Sequence, residues 1–257
     1  MDITVIKRNH RPYEGTIEIS SSAGSAVSMV NQNIEVLSGE TTDLNILFQN
    51  YGTLISEDVY VTLSSSSEHI SIHNDEIFLG DISPQEIIQG TFSVSIHGTA
   101  FHMEDLDLML TIRDKDENVW INSLPVDVLG PYVSVSEYLG DIYPGSETEI
   151  IFNIDNMGSR SAEYTVELLS YENLISTSSN FSNLTNLDIG ENMYLDGFDV
   201  SFSSDIINGT VLPVDLILTS SDGYKRNLIV NIMVGETRET DPVGPDAYGY
   251  YIYGQED

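Results

Sequence analysis

The chain has 257 residues, 40% of them hydrophobic, and carries 41 acidic against 9 basic side chains, a formal net charge of −32 at pH 7. A field of that sign repels polyanions, which excludes nucleic acid as a partner and disfavours anionic membrane surfaces. The chain has no cysteine, which removes disulfides, thiolate zinc sites and a cysteine nucleophile from these residues. No apolar run reaches a membrane span, so no membrane insertion is expected.

In chain order, residues 1–26 hold two strand-like pieces, Ile3–Ile6 and Thr16–Ile19, read as the tail of a preceding β-domain. From residue 27 the dominant period is two. Leu44, Ile46 and Phe48 alternate with Asp43, Asn45 and Leu47, and Val59, Val61 and Leu63 follow the same rule. Then come Phe92/Val94/Ile96, Leu106/Leu108/Leu110/Ile112 and Leu124/Val126/Val128. Such alternation turns one set of side chains inward and the other to water, as in antiparallel sheets with one wet face. Asn-x-Gly and the polar run Asp114–Asn118 between these segments read as turns. Gly130-Pro131 makes a short, stiff junction with no flexible Gly/Ser tract.

Beyond it the plan repeats as Ile150/Phe152/Ile154, Tyr164/Val166/Leu168, Leu187/Ile189, Phe198/Val200/Phe202, Val214/Leu216/Leu218 and Leu228/Val230/Ile232. The spacing between copies is constant. Gly39 returns as Gly145, Asn50 as Asn156 and Gly52 as Gly158, each after 106 residues (145 − 39, 156 − 50, 158 − 52). A period near a hundred residues is one small domain, not a solenoid unit. The expected fold is all-β, two tandem immunoglobulin-like antiparallel β-sandwich domains at 27–130 and 131–236. Residues 237–257 read as the start of a following domain or a linker. The first span holds 17 acids and 2 bases and the second, to residue 235, 15 and 3. Both modules are therefore strongly acidic.

Few residues suggest chemistry. Asp114, Asp116 and Asn118 have the alternate-oxygen spacing of a calcium loop, although Val119 and Pro125 stand where an EF-hand needs Gly and Glu. A solvated hairpin tip is the competing reading, and no other cofactor is indicated. His69 and His73 flank Ile70 and Ile72, so on a strand both face solvent and stand too far apart to share one zinc ion. The acids around Glu104–Asp107 alternate with Leu106 and Leu108 and read as a wet face instead of a catalytic pair. Trp120 offers an aromatic contact for a sugar, or else anchors a sheet edge.

One string is strongly individual: Asp241-Pro-Val-Gly-Pro-Asp-Ala-Tyr-Gly-Tyr-Tyr-Ile-Tyr253. It resembles a segment of secreted gingipain-type cysteine peptidases and related surface proteins of Bacteroidetes-like bacteria. The two repeats, with their Gly-led turn, alternating strand and Asn-x-Gly, resemble CARDB- or NEW3-like adhesion modules. The resemblance implies a secreted or cell-surface bacterial setting; for a binding module, Tyr248, Tyr250 and Tyr251 join Trp120 as candidate contacts. It carries no catalytic residue onto this chain. The expectation is a non-catalytic spacer or interaction module, accessory to a peptidase, with neighbouring domains of its own polypeptide as partners. Alternatives are a module binding an extracellular protein or glycan, and a piece of a cysteine peptidase whose catalytic domain lies upstream.

Overall fold

The computed structural model describes residues 24–170 and 173–236, together with the backbone of 2–5 and 13–16. Every regular element in these spans is a strand, so the chain is all-β. β1 (Asp2–Val5) pairs antiparallel with β2 (Tyr13–Thr16). The first copy contains β3 (Val27–Met29), β4 (Glu35–Leu37), β5 (Thr41–Asn50), β6 (Ser56–Ser65), β7 (Ile70–Ile72) and β8 (Glu76–Ile82). It continues with β9 (Ile87–Ile96), β10 (Leu108–Arg113), β11 (Val119–Ser123) and β12 (Asp127–Leu129). The second copy contains β13 (Val133–Leu139), β14 (Glu147–Asn156), β15 (Ala162–Leu169) and β16 (Ile175–Ser179). Its remaining strands are β17 (Phe181–Leu187), β18 (Asn192–Phe202), β19 (Thr210–Thr219) and β20 (Lys225–Val234).

Both copies build the same two sheets. The first has orders β3-β5-β9-β7 and β11-β10-β6-β8, and the second β13-β14-β18-β16 and β20-β19-β15-β17. Register recurs at matching pairs: Ile112 faces Trp120 as Leu218 faces Arg226, and Val27 faces Asn50 as Val133 faces Asn156, while a bulge between Ile150 and Phe152 shifts β14 against β18 in the second copy alone. In each copy the inward positions of both sheets form one apolar cluster, with Leu44, Phe92 and Leu110 in the first and Ile150, Phe198 and Leu216 in the second. Each such side chain contributes roughly 1.5–3 kcal/mol by leaving water.

The shared Asn-x-Gly has a common cause. Asn50 is fully buried, and its Oδ1 accepts the amides of Ala26 (3.1 Å) and Gly52 (2.9 Å). Its Nδ2 donates to the carbonyls of Leu54 (2.8 Å) and Ile82 (2.9 Å). Asn156 repeats every bond: Oδ1 accepts from Tyr132 (3.0 Å) and Gly158 (3.1 Å), and Nδ2 donates to Arg160 (2.7 Å) and Leu187 (3.0 Å). One side chain thus ties the first strand, the turn and a distant strand end together, using all four of its hydrogen-bonding sites. The glycine two residues on lets that first strand pass. A Cβ on Gly52 would lie 2.2 Å from the Gly24 carbonyl oxygen, and one on Gly158 2.3 Å from the Tyr132 amide nitrogen.

Some expected strands end elsewhere. Leu106 lies outside β10, because Asp107 takes a left-handed conformation (φ 44°) with its amide bonded to Asp105 Oδ1. Leu124–Val128 is not one strand. The hairpin strand is β11, Pro125 supplies no amide to prolong the ladder, and β12 crosses to pair parallel with β4. Ile189 is exposed beyond the end of β17. Most of Thr16–Ile19 lies outside the described residues.

Asn156→Ala takes the side-chain partner from four backbone groups around a fully buried position. The expected loss is about 3 kcal/mol or more, read as a lower urea midpoint, and Asn50→Ala should match it.

Candidate functional site

Where the two copies meet, a loop of the first enters the second. Phe101, between β9 and β10, is 4% exposed and belongs to the apolar cluster of the second copy, beside Tyr132 (ring centroids 5.4 Å apart). The Arg226 guanidinium lies 3.7 Å from the Phe101 ring centroid, a cation–π contact. The same group donates to Glu104 Oε2 (2.6 Å) and the Thr99 carbonyl (3.2 Å). Arg160 donates to the Ser38 carbonyl (3.0 Å) and pairs with Glu40 (3.3 Å). Two of the three bases between 131 and 235 therefore reach across to the other acidic copy.

The rest of the seam is built on Gly98. Its amide donates to Asp222 Oδ2 (2.8 Å) and its carbonyl accepts the Tyr164 hydroxyl (3.1 Å). A Cβ there would stand 2.8 Å from Ser220 Cβ, so glycine permits the approach. The buried His97 stacks on Tyr224 (centroids 3.3 Å apart, planes at 13°), with Nε2 2.8 Å from Ser71 Oγ. Burial lowers the His97 pKa, against the opposing pull of the Glu68 backbone and Asp222. Burial on its own would raise Asp222. Hydrogen bonds from Ser220 and the amides of Gly98 and Tyr224 outweigh it and hold the carboxyl below its ordinary value. Burial pushes the Tyr164 hydroxyl well up, so it stays a proton donor.

Of His69 and His73, both expected to face solvent, one does. His73 is exposed, but His69 precedes β7 with its side chain 11% exposed and Nε2 3.8 Å from Glu104 Oε1. His97 is buried, and His102 Nδ1 lies 3.0 Å from Ser159 Oγ. Glu104 is likewise not on a wet face, because Arg226 and the second copy cover it. Phe101, Arg160, Tyr164, Asp222, Tyr224 and Arg226 escaped the sequence reading. For Arg160 and Arg226 the signal was scarcity, since a base in so acidic a chain has a task; the other four carry no such mark.

Asp114 is a structural hub. It receives Ser25 Oγ (3.0 Å), Ser56 Oγ (3.1 Å), the amides of Asp116 and Asn118 (both 3.0 Å) and Asn118 Nδ2. Burial alone would raise its pKa, but these bonds together hold it below the ordinary carboxylate value. Both carboxylate oxygens are taken by donors, and Asn118 presents its NH₂ where a calcium ligand would present oxygen. Trp120 is half-buried on β11 against the first core. Tyr248, Tyr250 and Tyr251 lie outside the described residues. The outer face of the first copy carries a row across four strands: Val119, Arg113, Tyr60 and Phe78 are successive cross-strand neighbours. Tyr60 and Phe78, 45% and 57% exposed, have ring centroids 4.7 Å apart.

Fold and seam define the class of molecule: an all-β protein with sandwich-like units joined through a polar and aromatic contact. No family model matches the chain, and no curated protein does. Among solved structures it is similar to a protein of unknown function from Porphyromonas gingivalis W83, with 11% identity, 81% of this chain and 99% of that one covered, and a TM-score of 0.31. It is also similar to the secreted serine protease VesC from Vibrio cholerae (13%; 71% and 47% covered; 0.30). A third is the YadV chaperone (6%; 80% and 99%; 0.28). At such identities and scores these likenesses carry no argument about activity.

Two outcomes are expected. Arg226→Ala should remove about 2–3 kcal/mol of coupling between the copies, because it strands Glu104 and bares Phe101; calorimetry should then show one transition splitting into two. Acid should weaken the seam in two stages. His97, with its folded pKa lowered, contributes fully above its ordinary 6.5, and that contribution is lost as pH falls below it. Asp222 contributes above the ordinary 3.8 and loses that contribution as pH falls through its lower folded value. Thermal midpoints measured against pH should show both stages, and His97→Gln should remove the first alone.

Proposed function

We propose that this chain is a non-catalytic tandem of immunoglobulin-like domains, acting as a spacer and interaction module of a secreted or cell-surface multidomain bacterial protein and accessory to a peptidase. The observation that supports this reading best is the seam. Phe101 in the neighbouring core, with Arg226, Arg160 and Asp222 bonded across, holds one copy against the other, and a spacer has to transmit orientation. The repeated sheet order and the Asn50/Asn156 ties favour the immunoglobulin-like description. The titratable groups whose pKa is displaced at the seam, His97, Asp222 and Tyr164, are engaged in packing and structural hydrogen bonds. That favours a mechanical over a catalytic role. The peptidase association and the surface setting are supported by the resemblance of Asp241–Tyr253 and of the two repeats.

A second reading has an observation of its own. The exposed Tyr60–Phe78 pair with Arg113 is the kind of aromatic face on which a sugar stacks, and it favours glycan binding by the first copy.

Small-angle scattering separates the roles. A spacer is expected to give one profile, fitted by one arrangement of the two copies, and no turnover of peptide or glycoside substrates. Hydrolysis abolished by a single carboxylate substitution would overturn it. Glycan binding lost in the Tyr60→Ala, Phe78→Ala double variant would favour the second reading.

A further inference from the structure

The two copies differ at one place on the open side of each sandwich, where the edge strand of one sheet meets the edge strand of the other. In the first copy that gap is closed from within. Asn122 on β11 accepts the Met29 amide (2.9 Å) and the Ser28 hydroxyl (3.2 Å) of β3, and Trp120 packs its indole against the core beside it. At the constant offset of 106, Trp120 becomes Arg226 (226 − 120) and Asn122 becomes Leu228 (228 − 122). Arg226 is drawn away to Phe101 and Glu104 at the seam, and Leu228 has no group with which to bridge to β13.

The gap in the second copy is accordingly open. Between β13 and β20 runs a groove of about 800 Å³, lined along 133–138 and 226–231 and ended by Phe101 and Tyr132. Val133 and Val230 lie buried in its wall, with Val135 and Leu228 half-buried, while Ile229 is 68% exposed. Near its far end the Tyr138 hydroxyl accepts the Met233 amide (2.9 Å). Pro125, which ends the ladder in the first copy, is matched by Asn231 (231 − 125), so β20 runs on with an edge that, among the described residues, pairs only with β19.

We propose that this groove accepts an extended peptide of a partner protein, added as a strand along β20, with alternate apolar side chains entering the groove and Lys or Arg on the outward positions. An edge strand supplies backbone donors and acceptors in one row, and alternation matches an apolar floor beside a wet rim. The choice of a cationic partner follows from charge: the chain is −32 overall, Glu137 lines the groove, and Arg226 is neutralised by Glu104. A second copy of this chain would bring like charge to the same edge. The inference rests on the interaction half of the proposed function; the spacer half is measured separately by scattering.

The test uses the full chain and the synthetic octapeptide Lys-Val-Lys-Val-Lys-Val-Lys-Val, with a control of equal charge in which the two central Val are Pro and the added strand cannot donate. Hydrogen exchange of the 227, 229 and 231 amides, which are turned away from β19 as the Met233 amide is, is followed by NMR. The alternating peptide is expected to protect them and the proline peptide to leave them unchanged. Ser136→Arg with Asn227→Arg, both exposed, should weaken binding about tenfold with the thermal midpoint unmoved. Equal binding of both peptides without localised protection, or no binding, overturns the proposal. Protection already present without peptide also overturns it: if independent of concentration, the chain's own residues fill the groove, and if it grows with dimer in sedimentation, a second copy does.

Discussion

Two bodies that carry net charge of the same sign have been brought into contact, and the rest of the arrangement depends on how that repulsion is met. Arg226 meets it by filling three roles with one planar group. It neutralises Glu104, covers the Phe101 ring and caps the Thr99 carbonyl. A lysine could not do all three, since it has neither the flat face nor the forked donors. Phe101 gains from the same geometry, because its ring leaves water only if something polar closes the mouth of the cleft above it. Coulomb attraction and apolar burial thus reinforce each other at one point, and Gly98 lets the backbones come close enough for both.

Inside each copy the organising element is a buried amide. Asn50 and Asn156 bond backbone groups in the turn and at the ends of neighbouring strands, with no hydrogen-bonding site left over. An aspartate at either position could accept both amides but could not donate to the two carbonyls. This explains why the repeat preserves Asn and Gly as faithfully as it preserves the core. The glycine makes room, and the asparagine bonds the backbone around it.

The alternation of Leu44, Ile46 and Phe48, and of Ile150, Phe152 and Ile154, was sufficient to read strands and the faces they bury, because a two-residue period is a local signal. Asn50 and Asn156 were legible as repeated positions but read only as turn formers; their partners lie up to 32 residues away, beyond any local pattern. The seam was invisible for the same reason. Nothing near Phe101 in sequence distinguishes it from a core residue of its own copy, and His97 looks like any strand-end histidine until Tyr224 is set on it. At Asp114–Asn118 the alternate-oxygen spacing fits a tight turn as well as an ion-binding loop, and the protein's own amides and hydroxyls bond both Asp114 oxygens. The substitution of Trp120 and Asn122 by Arg226 and Leu228 was present in the aligned repeat, but its meaning required knowing that these positions close a gap.

The central claim is that the two copies form one rigid body held at Arg226 and Phe101. With no native cysteine in the chain, spin labels can be placed at will on Ser64→Cys and Thr185→Cys, exposed positions in different copies. The decisive measurement is the label-to-label distance distribution by pulsed electron resonance, in the otherwise native chain and with Arg226→Ala. One narrow distribution is expected in the native chain, broadening markedly in the variant. A broad distribution in the native chain, or one equally narrow in both, would contradict it.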